Sequence, residues 1–231
     1  MGGQACVLYG AAEFSRDTDI ALLASDENLI LLRNALRALH ARRIALPPFE
    51  LQYLARGHAI HFRTSHPDAR NMRIDVMSVM RGVDSFEHLW QRKTEIVTTS
   101  GEAFLLLSLR DLVLSKKTQR DKDWPMIRRL IEADFVKTKT PSGEQLKFWL
   151  EESRTPDMLL WLAQTYPAET DMVRPRRPLL QYARMRDLAA LDVALDEEQK
   201  EERAKDRQYW EPLRIQLEKI RHSGPSAEEE V

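Results

Sequence analysis

One cysteine in 231 residues, Cys6, excludes an intrachain disulfide framework and a cysteine-rich zinc site. It sits in an apolar run at residues 5–8, where a small buried hydrophobe is the expected role. Nowhere does the chain approach the ~18 consecutive apolar residues of a membrane helix, and it opens without a basic-then-apolar leader. Net charge is also scarce. Lys plus Arg number 35 against 36 Asp plus Glu, a balance of −1, so no global field favours nucleic acid or an anionic membrane. Any basic site must be local. The six histidines, at 40, 58, 61, 66, 88 and 222, lack zinc-ligand spacing, and His58 and His61 read as structural or exposed. A soluble cytoplasmic protein without a membrane partner is expected.

The hydrophobic fraction of 43% suffices for a sizeable core, whereas 31% charged residues exceed the usual quarter and imply solvated helices. Residues 4–9 read as a short helix entered from Gly2-Gly3, and residues 19–24 as a buried strand. Ser25 offers an N-cap to a helix carrying Leu29, Leu32, Leu36 and Leu39 on one stripe. A short helix over 49–55 follows Pro47-Pro48. Residues 58–63 and 72–79 alternate and form a hairpin, residues 85–91 are helical, and 94–98 and 103–107 are further strands. From Ser108 the pattern is helical, broken at Pro156, Pro167, Pro175 and Pro178. The expected fold is α+β, a small mixed sheet flanked by helices over residues 1–135. An all-helical extension over 136–222 and a disordered acidic tail at 223–231 complete it.

Thirteen residues separate Gly3 from Asp17, which is followed by Thr18 and Asp19. In a strand, residues i and i+2 face the same way, so Asp17 and Asp19 present two carboxylates side by side. Asp75, between Ile74 and Val76 in a second strand, adds a third. Three converging carboxylates with no basic partner repel one another unless cations lie between them. Hard oxygen ligands select Mg²⁺, or Mn²⁺, over zinc. Two such ions can activate a hydroxyl and stabilise a departing pyrophosphate. Gly2 and Gly3 let backbone approach a phosphate at a helix start. Ser15 and Arg16 add a hydroxyl and a cation to the same nucleotide-binding pocket.

These residues resemble the nucleotidyltransferase fold of the DNA polymerase beta superfamily. The likeness is greatest to bacterial AbiEii-type proteins and to the minimal nucleotidyltransferases of toxin–antitoxin systems. That family's pattern is Gly-Gly or Gly-Ser, a spacer, then acid, any residue, acid, which Gly2, Gly3, Asp17 and Asp19 match. Residues 109–116, followed by Arg120, Lys122 and Asp123, are similar to the helices that close such domains, and place Lys116 where relatives reach nucleotide phosphates. The resemblance covers residues 1–135. It implies NTP (ATP among them) as substrate, two Mg²⁺ ions held by Asp17, Asp19 and Asp75, and transfer of a nucleoside monophosphate. The acceptor stays open among an RNA end, a protein hydroxyl and a small molecule. Two departures stand out: the family's first strand is expected to be missing, because Met1 abuts Gly2, and Thr18 replaces a commonly apolar residue. The alternative reading is a catalytically inactive member of the fold, an antitoxin-like module for a toxin or antitoxin partner protein. A third is a helical RNA-binding protein using residues 110–129, where seven basic residues stand against three acidic.

Bland roles suit the remaining candidates. Arg174-Pro175-Arg176-Arg177 reads as a basic surface turn, residues 196–207 as a mixed-charge helical face, and Trp149, Trp161 and Trp210 as packing anchors.

Overall fold

The computed structural model describes residues 1–224 and 229–230. In chain order its elements are α1 (Gly2–Leu8), β1 (Asp17–Ala21), α2 (Asp26–Ala38), β2 (Arg42–Arg43), α3 (Leu51–Ala55), β3 (Ile60–Arg63), β4 (Arg73–Met77), α4 (Phe86–Gln91), β5 (Thr94–Val97), β6 (Ala103–Leu106) and α5 (Leu109–Ser115). Then come α6 (Asp123–Lys137), α7 (Gly143–Glu152), α8 (Pro156–Thr165), α9 (Pro167–Val173), α10 (Leu180–Met185), α11 (Leu188–Ser223) and β7 (Glu229–Glu230). The fold is α+β. No helix among the described residues is long and apolar enough to cross a membrane.

Contacts divide the chain into two compact units. The first comprises residues 1–8, 12–115 and 208 onward; the second comprises 9–11 and 116–207. The division therefore falls at 115/116, whereas position 135 lies inside α6. Of the tail at 223–231, residues 225–228 and 231 lie outside the described residues. Glu229 and Glu230 form β7, which pairs antiparallel with Arg43 and Arg42.

The first unit holds a mixed five-stranded sheet in the order β1-β4-β3-β2-β7, with β1–β4 parallel and the other pairs antiparallel. The second strand pair of the sequence, β5–β6, forms its own antiparallel sheet. Alternation along β3 and β4 sends Ile60, Phe62, Ile74 and Val76 to one face, where all are 0–3% exposed. That face packs on Leu29 and Leu36 of α2 and on Phe49 and Leu54. Ser25 caps α2 as expected, its side chain accepting from Asn28 N–H at 3.3 Å. Cys6 is fully buried and donates to the Gly2 carbonyl, a packing role.

The second unit is all helical. Pro156 and Pro167 begin α8 and α9 at the first turn, where the missing N–H is no loss. Ser142 and Gln145 cap α7 reciprocally. Trp149, 1% exposed, anchors the core, with its indole N–H on Asp134 Oδ2 at 2.8 Å and Phe135 packed edge-on. Arg177 corrects the surface-turn expectation. It is 3% exposed and donates to the Leu150 and Ser153 carbonyls and to Glu198, each at 2.8 Å. Burial there is sustained by a full set of acceptors, so this arginine ties helices together.

Candidate functional site

Because one face of the sheet is core, the same strands must present their remaining residues on the opposite face. Asp17 and Asp19 from β1, Arg73 and Asp75 from β4, and His61 and Arg63 from β3 share it. Register makes the placement specific. Asp19 is the cross-strand partner of Asp75, Asp17 of Arg73, His61 of Asp75, and Arg63 of Arg73. The three aspartates that the acid pattern singled out therefore stand on adjacent strands. Among the described residues, no group of three or more His, Cys, Asp or Glu side chains is gathered as a ready metal cage.

The expectation of carboxylates without a basic partner is corrected. Arg73 Nε donates to Asp75 Oδ1 at 2.7 Å, and His61 Nδ1 lies 2.8 Å from the same oxygen. Arg73 Nη2 is also 3.1 Å from His61 Nδ1. A guanidinium only donates, so Nδ1 cannot both accept from Arg73 and donate to Asp75. We assign a proton to Nδ1, because the shorter contact is to an anion. Burial pushes the Asp75 carboxyl up, but the hydrogen bonds from His61 and Arg73 outweigh it and hold the group below its ordinary value. The Asp75 hydrogen bond raises Arg73 against the opposing effect of burial, and the charges of Asp17 and Asp19 add to the rise. Both partners were present in the sequence. Arg73 is two residues before Asp75 in one strand, and the hairpin that carries His61 was expected; only its register was not.

The glycine pair is held hard against this face. Gly2 has φ +67°, in the left-handed region, and a β-carbon there would fall inside the Asp19 carboxylate. A β-carbon at Gly3 would fall inside the Ser15 hydroxyl, and Gly3 N–H donates to Asp19 Oδ2 at 3.2 Å. Ser15 Oγ in turn donates to the Asp17 carbonyl at 2.9 Å, and Gln4 Nε2 donates to the Ser15 carbonyl at 3.2 Å. These contacts lock α1 to the start of β1 and orient Asp19. Arg16, beside them, is exposed. Next to Asp19, a cavity of about 450 Å³ is walled by α1, β1, α4 and β6, with Phe86, Trp90 and Phe104 among its lining. Its size suits a small organic molecule.

Lys116 belongs to the second unit. It is 8% exposed and its Nζ lies 3.8 Å from Asp123 Oδ1, a carboxylate that also accepts from Thr118 and Arg120. Its neighbour Lys117 pairs with Glu152 at 2.6 Å. Of the histidines, His58 is structural, 1% exposed with Nε2 2.9 Å from Gln216 Oε1, whereas His61 is part of the site.

No family model and no curated protein matches the chain.

Proposed function

We propose that the chain is a Mg²⁺-dependent nucleotidyltransferase of the nucleotidyltransferase fold, moving a nucleoside monophosphate from an NTP to an acceptor hydroxyl. The observation that carries this reading is the register Asp19↔Asp75, with Asp17 on the same face and the glycine pair pressed onto Asp19.

The residues offer a hard divalent cation oxygen donors rather than a ready cage. All three side chains offer oxygen, Asp75 is kept ionised by its partners, and Asp17 and Asp19 lie one strand away. Asp17 and Asp19 would hold both ions and Asp75 would complete the acceptor-side one. When bound, the ions supply positive charge to the transferring phosphoryl group and the departing pyrophosphate. Gly2, Gly3, Ser15 and Arg16 flank Asp19 on the triphosphate side. The depressed Asp75 carboxyl is a weak base, which favours its ligand role over the proton-accepting role. The acceptor oxygen bonds to the α-phosphorus, the bridging bond to the β-phosphate breaks, and the hydroxyl proton passes to water.

A specific observation favours the second reading, an inactive antitoxin-like binding module. Arg73 already neutralises Asp75, as a resident cation would in a site that has given up its metal. The two readings separate by incubation of the chain with α-labelled NTPs, Mg²⁺ and cell extract. The transferase reading expects labelling that Asp17→Ala/Asp19→Ala abolishes. Labelling that persists at wild-type level in that variant refutes it.

A further inference from the structure

The row of residues that begins at Asp17 continues across the sheet as arginines. Asp17 faces Arg73, Arg73 faces Arg63, and Arg63 faces Arg42, on the neighbouring strands β1, β4, β3 and β2. Directly opposed residues lie on one face, and neighbouring strands are ~4.8 Å apart, so three guanidinium stems stand abreast over roughly 10 Å. Like charges in cross-strand positions are destabilising. Arg73 is relieved by Asp75 at 2.7 Å. Arg63 is not relieved: its exposed side chain has neither a hydrogen-bond nor an ion-pair partner among the described residues, and it is flanked by an arginine on either side. Arg73 has Asp75, and Arg42 has a partner of its own and faces Glu230 on β7, so the unrelieved cost falls on Arg63, where an anion that settles would offset it.

Position relative to the carboxylates narrows which anion. Gly2, Gly3 and Ser15 crowd Asp19 at β1, the outer strand of the sheet. The arginines lie on the other flank, from Asp75 toward β2, which is the acceptor's side in the reading proposed above. We infer that Arg63, with Arg73 and Arg42 beside it, binds a phosphate group of the acceptor, so that the acceptor is a phosphate-bearing alcohol whose reacting hydroxyl lies next to Asp75. The inference rests on the nucleotidyltransferase reading for the word acceptor, but the phosphate site stands on the arginine row alone. A hydroxyl near a phosphate occurs at the end of a nucleic acid strand and in a small sugar phosphate; the guanidinium fork serves both.

The test titrates the full chain with a short single-stranded RNA, with ribose 5-phosphate and with unphosphorylated ribose, for the wild type, Arg63→Gln and Arg63→Lys. Arg63→Gln should weaken binding of a phosphate-bearing probe about ten-fold, with Arg63→Lys intermediate and NTP binding unchanged. For the RNA the slope of log affinity against log salt should also fall by about one phosphate contact. An effect confined to RNA assigns a strand end; one confined to the sugar phosphate assigns a small acceptor. Either supports the site. Equal binding by wild type and Arg63→Gln overturns it, as does a wild type that binds neither phosphate-bearing probe. Arg63 is exposed and its removal relieves repulsion, so an unchanged or raised melting temperature certifies the variant's fold. If labelling proves independent of Asp17 and Asp19 while Arg63-dependent phosphate binding persists, the transferase reading falls and the phosphate site survives.

Discussion

Replacing Arg73 with Gln removes the cation that balances Asp75, and the structure sets how much that should cost. The lost Nε–H···Oδ1 bond of 2.7 Å is charge-assisted, a class contributing about 1.5–3 kcal/mol. The arginine side chain is 38% exposed, so solvent screening lowers this to about 1–2 kcal/mol. The Asp75 side chain is only 16% exposed and keeps one donor, His61, which limits the loss. At roughly 2–4 °C per kcal/mol, thermal melts at pH 7 should show Arg73→Gln about 2–8 °C below the wild type. The sign with pH follows from Asp75, whose folded pKa lies below its ordinary 3.8. Stability from that depression is complete above the ordinary value and disappears as pH falls through the folded one. The gap between wild type and variant should therefore hold constant from neutral pH down to about pH 5 and shrink below about pH 4. Saturating Mg²⁺ should narrow it, because three uncompensated carboxylates bind the ion more strongly than three shared with a guanidinium. A variant that melts at or above the wild type at pH 7, or a gap that widens on acidification, refutes the reasoning.

Gly2→Ala must place a β-carbon in the Asp19 carboxylate at φ +67°; it should cost α1 about 2 kcal/mol and raise amide exchange at residues 3–8 with little change elsewhere. Wild-type exchange there would count against a close glycine contact. Trp149→Ala removes the buried anchor of the second unit and should destabilise it by about 3–5 kcal/mol in urea titrations. Arg177→Met keeps the stem but strands the Leu150 and Ser153 carbonyls and leaves Glu198 with Arg154 alone; a loss of about 3 kcal/mol is expected, and near-neutrality would show that water replaces the guanidinium.

Much of the first unit was legible because its signals are local. Ser25 followed by leucines at helical spacing marks α2, and alternation around Phe62 and Asp75 marks the hairpin. Less legible was anything set by register or by distant packing. Nothing near Asp75 says that β1 lies parallel beside it, and the His61 contact exists only because β3 pairs with β4 in one register. Arg73 is the exception, readable from its two-residue spacing to Asp75. The Arg63 row likewise requires three strand registers at once. Lys116 looked available because exposed lysines are the norm, yet helix packing in the second unit buries it beside Asp123. Prolines marked the helix breaks well, since Pro156 and Pro167 begin helices and Pro175 and Pro178 lie between α9 and α10, yet Pro212 lies within the 36-residue α11.

The most direct measurement compares α-labelled with γ-labelled NTP in the presence of Mg²⁺ and cell extract, for the wild type and Asp19→Asn. Nucleotidyl transfer predicts that the α label appears on the acceptor, that the γ label leaves in pyrophosphate, and that Asp19→Asn abolishes both. Transfer of the γ label, or α labelling that Asp19→Asn leaves intact, would contradict the account.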